Sequence, residues 1–128
     1  MKKMRMKSLR MIVTLALAIS FGSKTSRAQY STIFQEQVSI SRALAGHANF
    51  GLLQPADGIT VELCSSDWLT VLASTKTDKD GYFSLGKSKP GKLFYIRLSA
   101  PGVDPYELRV RIDKHGAKEL HIHLENAT

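Results

Sequence analysis

Four stretches of this chain alternate apolar and polar residues one for one, and that pattern constrains the fold more than any other feature. Ile59, Val61 and Leu63 alternate with Thr60, Glu62 and Cys64; Phe94, Ile96 and Leu98 with Tyr95, Arg97 and Ser99. Tyr106, Leu108, Val110 and Ile112 alternate with Glu107, Arg109, Arg111 and Asp113, and Leu120, Ile122 and Leu124 with Glu119, His121, His123 and Glu125. Successive side chains of a strand point to opposite faces, so each stretch reads as a strand with one face buried. Turn residues such as Pro101-Gly102 and His115-Gly116 separate the stretches. The pattern predicts six or seven short strands and no helix after the first thirty residues, an all-β antiparallel β-sandwich in which each apolar face is covered by a second sheet.

The segment Thr75-Lys76-Thr77-Asp78-Lys79-Asp80-Gly81-Tyr82-Phe83 supplies the expected centre. Asp78 and Asp80 can accept bonds from backbone amides just beyond them, and Gly81 can take a positive φ. β-formers flank the turn, so Trp68–Thr77 and the strand beginning at Tyr82 are expected to form a hairpin. A calcium loop would need further oxygen ligands and a downstream bidentate Glu, which residues 85 to 89 do not supply. Residues 39 to 48 fit a strand or a short helix by periodicity and are read as a strand, with a loop from Asn49 to Asp57.

Residues 1–28 read as a secretory signal peptide: Lys2, Lys3, Arg5, Lys7 and Arg10 precede an apolar run from Met11 to Phe21, and Ser26-Arg27-Ala28 suits cleavage. The run falls short of the roughly 20 apolar residues of a membrane span, so stable membrane insertion is not expected once the leader is cleaved. The protein is expected to be exported, to a periplasm or beyond the cell. The leader holds seven of the 18 basic residues and no acidic one, leaving eleven basic against 11 acidic. A formally neutral mature chain argues against a nucleic-acid partner. Residues 29–38 read as a flexible arm and residues 39–128 as one domain. Cys64 is the only cysteine, which excludes an intramolecular disulfide.

Taken together, Gly58 through Leu63, the Thr75–Phe83 segment, Pro90-Gly91-Lys92 and Ala100-Pro101-Gly102 resemble the carboxypeptidase regulatory-like domains. The resemblance covers roughly residues 40 to 125. It implies a Greek-key, prealbumin-like (transthyretin-like) sandwich of about seven strands, and a secreted accessory module. Related adhesin domains form a Lys–Asn isopeptide bond assisted by a buried Glu. Arg97 stands at about that place here and the candidate first strand has no lysine, so the crosslink is not implied. Related purine-pathway hydrolases end in Tyr-Arg-Gly-Ser, which the terminal Leu124-Glu125-Asn126-Ala127-Thr128 does not match.

No spacing singles out a nucleophile, base and orienter, so no catalytic residue and no cofactor is assigned. Trp68, Tyr82 and Tyr95 are the candidate binding residues, because outward aromatic rings stack on sugars or anchor proteins. Tyr82 and Tyr95 would form a platform if their strands were neighbours. His121 and His123 share a face with Glu119 and Glu125, but two histidines supply half a tetrahedral metal site, and the face is read as solvated. The expected partner is a glycan or a cell-envelope protein, with pairing through an edge strand and metal binding by the terminal His-x-His strand as alternatives.

Overall fold

The computed structural model describes residues 31–127. The expected leader, the arm's first two residues and the final Thr128 therefore lie outside the described residues. The described residues form ten strands and no α-helix. They are β1 (Ile33–Phe34), β2 (Ser39–Ser41), β3 (Ala45–Phe50), β4 (Gln54–Pro55), β5 (Thr60–Cys64), β6 (Val71–Lys76), β7 (Tyr82–Ser84), β8 (Leu93–Ala100), β9 (Val103–Ile112) and β10 (Leu120–Leu124).

The strands make two sheets. In the first, β9 pairs antiparallel with β8, β8 with β5 and β5 with β6, while β1 and β2 lie along the other side of β9. In the second, β3 is central, with β10 on one side and β7 and β4 end to end on the other. The alternating residues behave as the pattern requires. Val61, Ile96, Leu98, Leu108, Val110 and Ile112 from the first sheet join Ala48, Phe83, Leu120, Ile122 and Leu124 from the second in one buried cluster. Burying each of the larger side chains contributes about 1.5–3 kcal/mol. The β8–β9 connection is the Pro101-Gly102 turn, with Gly102 at φ 77°, and Pro105 sits in the register shift just beyond it, where no ladder amide is needed.

Several expectations are corrected. Pairing is mixed: β1 and β2 run parallel to β9, and β10 runs parallel to β3. Side-chain alternation encodes which face is buried, and it is silent on strand direction. Ten strands fill eight lanes in place of about seven, because two lanes are broken, residues 33–41 into β1 and β2, and the lane beside β3 into β4 and β7. The part of the arm from residue 31 onward carries β1, tied down by the Gln35 amide donating to the Glu107 carbonyl at 2.8 Å.

The Thr75–Phe83 segment does not close a hairpin. β6 pairs with β5, β7 pairs with β3, and the turn carries the chain from one sheet to the other. Its local chemistry is as expected: Asp78 Oδ1 accepts from the amides of Asp80 (2.9 Å) and Tyr82 (3.0 Å), and Gly81 lies at φ 80°. The crossover is set by tertiary bonds. The Gly81 carbonyl accepts from the Ala48 amide at 2.9 Å, and a Cβ on Gly81 would come within 2.4 Å of the Ala48 carbonyl oxygen. The buried Thr77 hydroxyl donates to the Ala56 carbonyl at 2.6 Å and accepts from the Ile59 amide at 2.8 Å.

Candidate functional site

Because β6 is not sheathed by β7, it is the terminal strand of the first sheet, and among the described residues β5 is its only strand partner. The Thr77 amide donates to the Ile59 carbonyl at 2.9 Å, and the register pairs Thr75 with Val61 and Ala73 with Leu63. Antiparallel ladders alternate, so the backbone groups of Ser74 and Lys76 point to the open side. The strand is exposed along almost its whole length, with Leu72 at 62% and Val71 at 44%, and Leu69 just before it at 83%. From Leu72 across β5 to β8 runs a cavity of about 420 Å³, lined by Leu63, Ser65 and Ser66 on one side and Lys92, Phe94 and Tyr95 on the other. The cavity's lining is mainly apolar, and Lys92 is the charged side chain on its wall.

Trp68 sits in the turn leading into β6, not in the strand expected from Trp68 onward. Its φ of 67° is unusual for a bulky side chain and is held by neighbours. The Trp68 amide donates to the Ser65 carbonyl at 2.9 Å, and Arg97 Nη1 donates to the Trp68 carbonyl at 3.2 Å. Asp67 Oδ1 accepts from the Ser65 hydroxyl and the Leu69 amide, and these bonds hold its carboxyl below the ordinary range. The Trp68 ring meets Tyr95 edge to face, with centroids 5.5 Å apart, and Phe34 likewise at 6.2 Å. The Arg109 guanidinium lies 5.4 Å from the Phe34 ring centre.

The same outer face carries Glu62, Arg97 and Glu107 in register across β5, β8 and β9. Arg97 Nε donates to Glu62 Oε1 at 3.0 Å, and Nη1 is 3.6 Å from Glu107 Oε2. Burial opposes the Arg97 charge, but the hydrogen bond to Glu62 and the nearby acidic groups outweigh it and raise its pKa. The arrangement locks the face with paired charges and packed rings. Cys64, buried at the end of β5, has its thiol pushed up, chiefly by burial, so it is a poor nucleophile.

Tyr82 and Tyr95 fall on different sheets, so they form no common platform. Tyr95 joins Trp68, whereas Tyr82 stands on the outer face of the second sheet beside His47, with ring centroids 5.2 Å apart. His47 is in turn the register partner of His121, and those rings stack at 15° with centroids 6.4 Å apart. Glu119 pairs with His47 Nδ1, while His123 Nδ1 is 3.1 Å from the Gly51 carbonyl. No group of three or more His, Cys, Asp or Glu among the described residues is arranged to hold a metal ion.

Sequence reasoning missed His47, because it falls where strand and helix could not be told apart. It also missed Leu69, Leu72 and Ser74, whose role depends on β6 being a sheet edge. The stretch from Val71 to Thr75, which lacks the one-for-one apolar and polar alternation of the covered strands, was the available signal. Compared with models of known protein families and with curated proteins, the chain matches none.

Proposed function

We propose that this is an exported, non-catalytic accessory module that binds an extended segment of a cell-envelope protein along β6. Two sheets around one core support reading the fold as a prealbumin-like sandwich of the carboxypeptidase regulatory-like kind, with the mixed pairing and broken lanes as local departures. The observation that carries the functional reading is the open side of β6. It offers backbone donors and acceptors at Ser74 and Lys76, and Leu72 of the same strand opens into the cavity over β5 and β8; strand addition uses main-chain bonds for affinity and side-chain pockets for specificity. Lys76 on the strand and Lys92 in the cavity wall favour a partner segment that pairs apolar residues with an acidic one.

The glycan reading gains less support. Trp68, Tyr95 and Phe34 pack edge to face, filling space between one another instead of presenting a shared flat surface, and Tyr82 is on the other sheet.

The reading is tested by placing a photo-crosslinking amino acid at Leu72 in the full chain, expressed in its native host, with Leu53 as the comparison site because it is 90% exposed. A discrete adduct with an envelope protein at Leu72, absent at Leu53 and lost in a Ser74→Pro background, is expected. Adducts at both sites alike, or none at Leu72, would refute it; an adduct of twice the chain's own mass would replace the partner with a second copy of this chain.

A further inference from the structure

We propose that His47 and His121 form a cross-strand site for a divalent late first-row metal ion, with Cu2+ bound most tightly. This inference is independent of the β6 reading and concerns the opposite sheet. The two imidazoles are direct register partners on β3 and β10, and their rings are nearly parallel with centroids 6.4 Å apart. Neighbouring strands hold the two side chains about 4.7–4.9 Å apart on the same face, near enough for one ion to take a nitrogen from each. The lone pairs of stacked imidazoles lie in the ring planes, so binding turns both rings about χ2, a soft torsion, until the Nε2 atoms converge on one ion at about 2.0–2.1 Å.

The tautomer favours it. His47 Nδ1 is paired with the Glu119 carboxylate, which accepts and cannot donate when ionised, so in the neutral ring the proton stays on Nδ1 and Nε2 carries the lone pair. A histidine whose second ring nitrogen donates to a carboxylate is the usual form of an oriented metal ligand. Tyr82 closes the row on the far side of His47, and His121 is exposed. Two imidazoles with open remaining positions suit Cu2+, which accepts a tetragonal set of nitrogen and oxygen ligands and stands highest in divalent affinity order. The site differs from the His121-x-His123 pair, because His123 Nδ1 faces the Gly51 carbonyl at 3.1 Å and His123 lies opposite Asn49.

The test is calorimetric titration of the untagged full chain with Cu2+ alone, together with electron paramagnetic resonance of the loaded protein. One equivalent with a two-nitrogen signature is expected. Affinity should fall at least tenfold in His47→Ala and in His121→Ala, fall about tenfold in Glu119→Gln at unchanged stoichiometry, and hold in His115→Ala. His47→Gln repeats the measurement if the alanine variant unfolds, and near-UV circular dichroism without metal checks each variant. Absence of binding overturns the proposal, as does full affinity in folded His47→Ala. Loss in His123→Ala with His47→Ala unaffected also overturns it, by moving the ion to the terminal strand.

Discussion

The two edges of the first sheet are built in opposite ways. At one edge, residues 33–41 lie along β9 as two short parallel strands, broken in the middle and tied by side chains. Gln35 Nε2 donates to the Gln37 carbonyl (2.8 Å) and the Ser39 hydroxyl (2.7 Å), Gln35 Oε1 accepts from the Tyr106 hydroxyl (2.9 Å), and Arg109 reaches the Glu36 carbonyl. At the other edge β6 is one continuous strand of six residues whose register with β5 shifts at Leu72, and its exposed apolar residues Val71 and Leu72 have one charged neighbour in the strand, Lys76. Short, interrupted or charged edges are how soluble proteins prevent stray pairing. The first edge follows that rule throughout, whereas the second follows it only through the shift at Leu72 and the charge of Lys76, which leaves the amides of Ser74 and Lys76 without a strand partner among the described residues.

The contrast depends on the crossover that sends the chain away from β6, and the largest effects are expected there. Gly81→Ala places a side chain at φ 80° and 2.4 Å from the Ala48 carbonyl oxygen. It should destabilise the full chain by about 3 kcal/mol or more in urea denaturation. Thr77→Val removes a buried hydroxyl and strands the Ile59 amide and Ala56 carbonyl, at a cost of about 2 kcal/mol by the same measurement. A loss below about 0.5 kcal/mol for either would show that these tertiary bonds do not set the crossover.

Smaller changes separate the edges themselves. Gln35→Ala on the closed edge should cost about 1 kcal/mol and leave partner capture intact. Ser74→Pro on the open edge removes an amide that faces away from β5, so stability should stay within about 0.5 kcal/mol while capture is lost. The reverse pattern would exchange the roles of the edges. The smallest expected effect is alkaline. Burial raises the pKa of Cys64, on the strand beside the open edge, and of Tyr106, under the closed one. Both are neutral when protonated, so their contribution is complete below the unfolded-state pKa values and disappears as pH rises through the higher folded values. The urea midpoint should drift downward from about pH 8.5 upward, and Cys64→Ala should flatten the lower part of that drift.

Much of the core was legible from the chain because burial has a period. The inward residues of β8, β9 and β10 were assigned correctly, down to Leu120, Ile122 and Leu124. Pairing was not legible, since the same alternation fits either strand direction and either neighbour. The Asp78–Gly81 turn was read correctly as a turn, yet its placement between sheets depends on Ala48, Ala56 and Ile59, distant contacts with no local signature. The candidate binding residues separated for the same reason. Trp68 and Tyr95 met, Tyr82 went to the other sheet, and His121 acquired a neighbour, His47, that no spacing indicated.

The most direct measurement is amide hydrogen exchange at Ser74 and Lys76 in the full chain, alone across a range of concentrations and then with the partner captured at Leu72. Fast exchange is expected at these two amides in the free protein, slow exchange at Thr75 between them, and protection of both on binding. Slow exchange at Ser74 and Lys76 in the free protein at every concentration, or binding that protects the Trp68–Tyr95 face and leaves β6 unchanged, would contradict this.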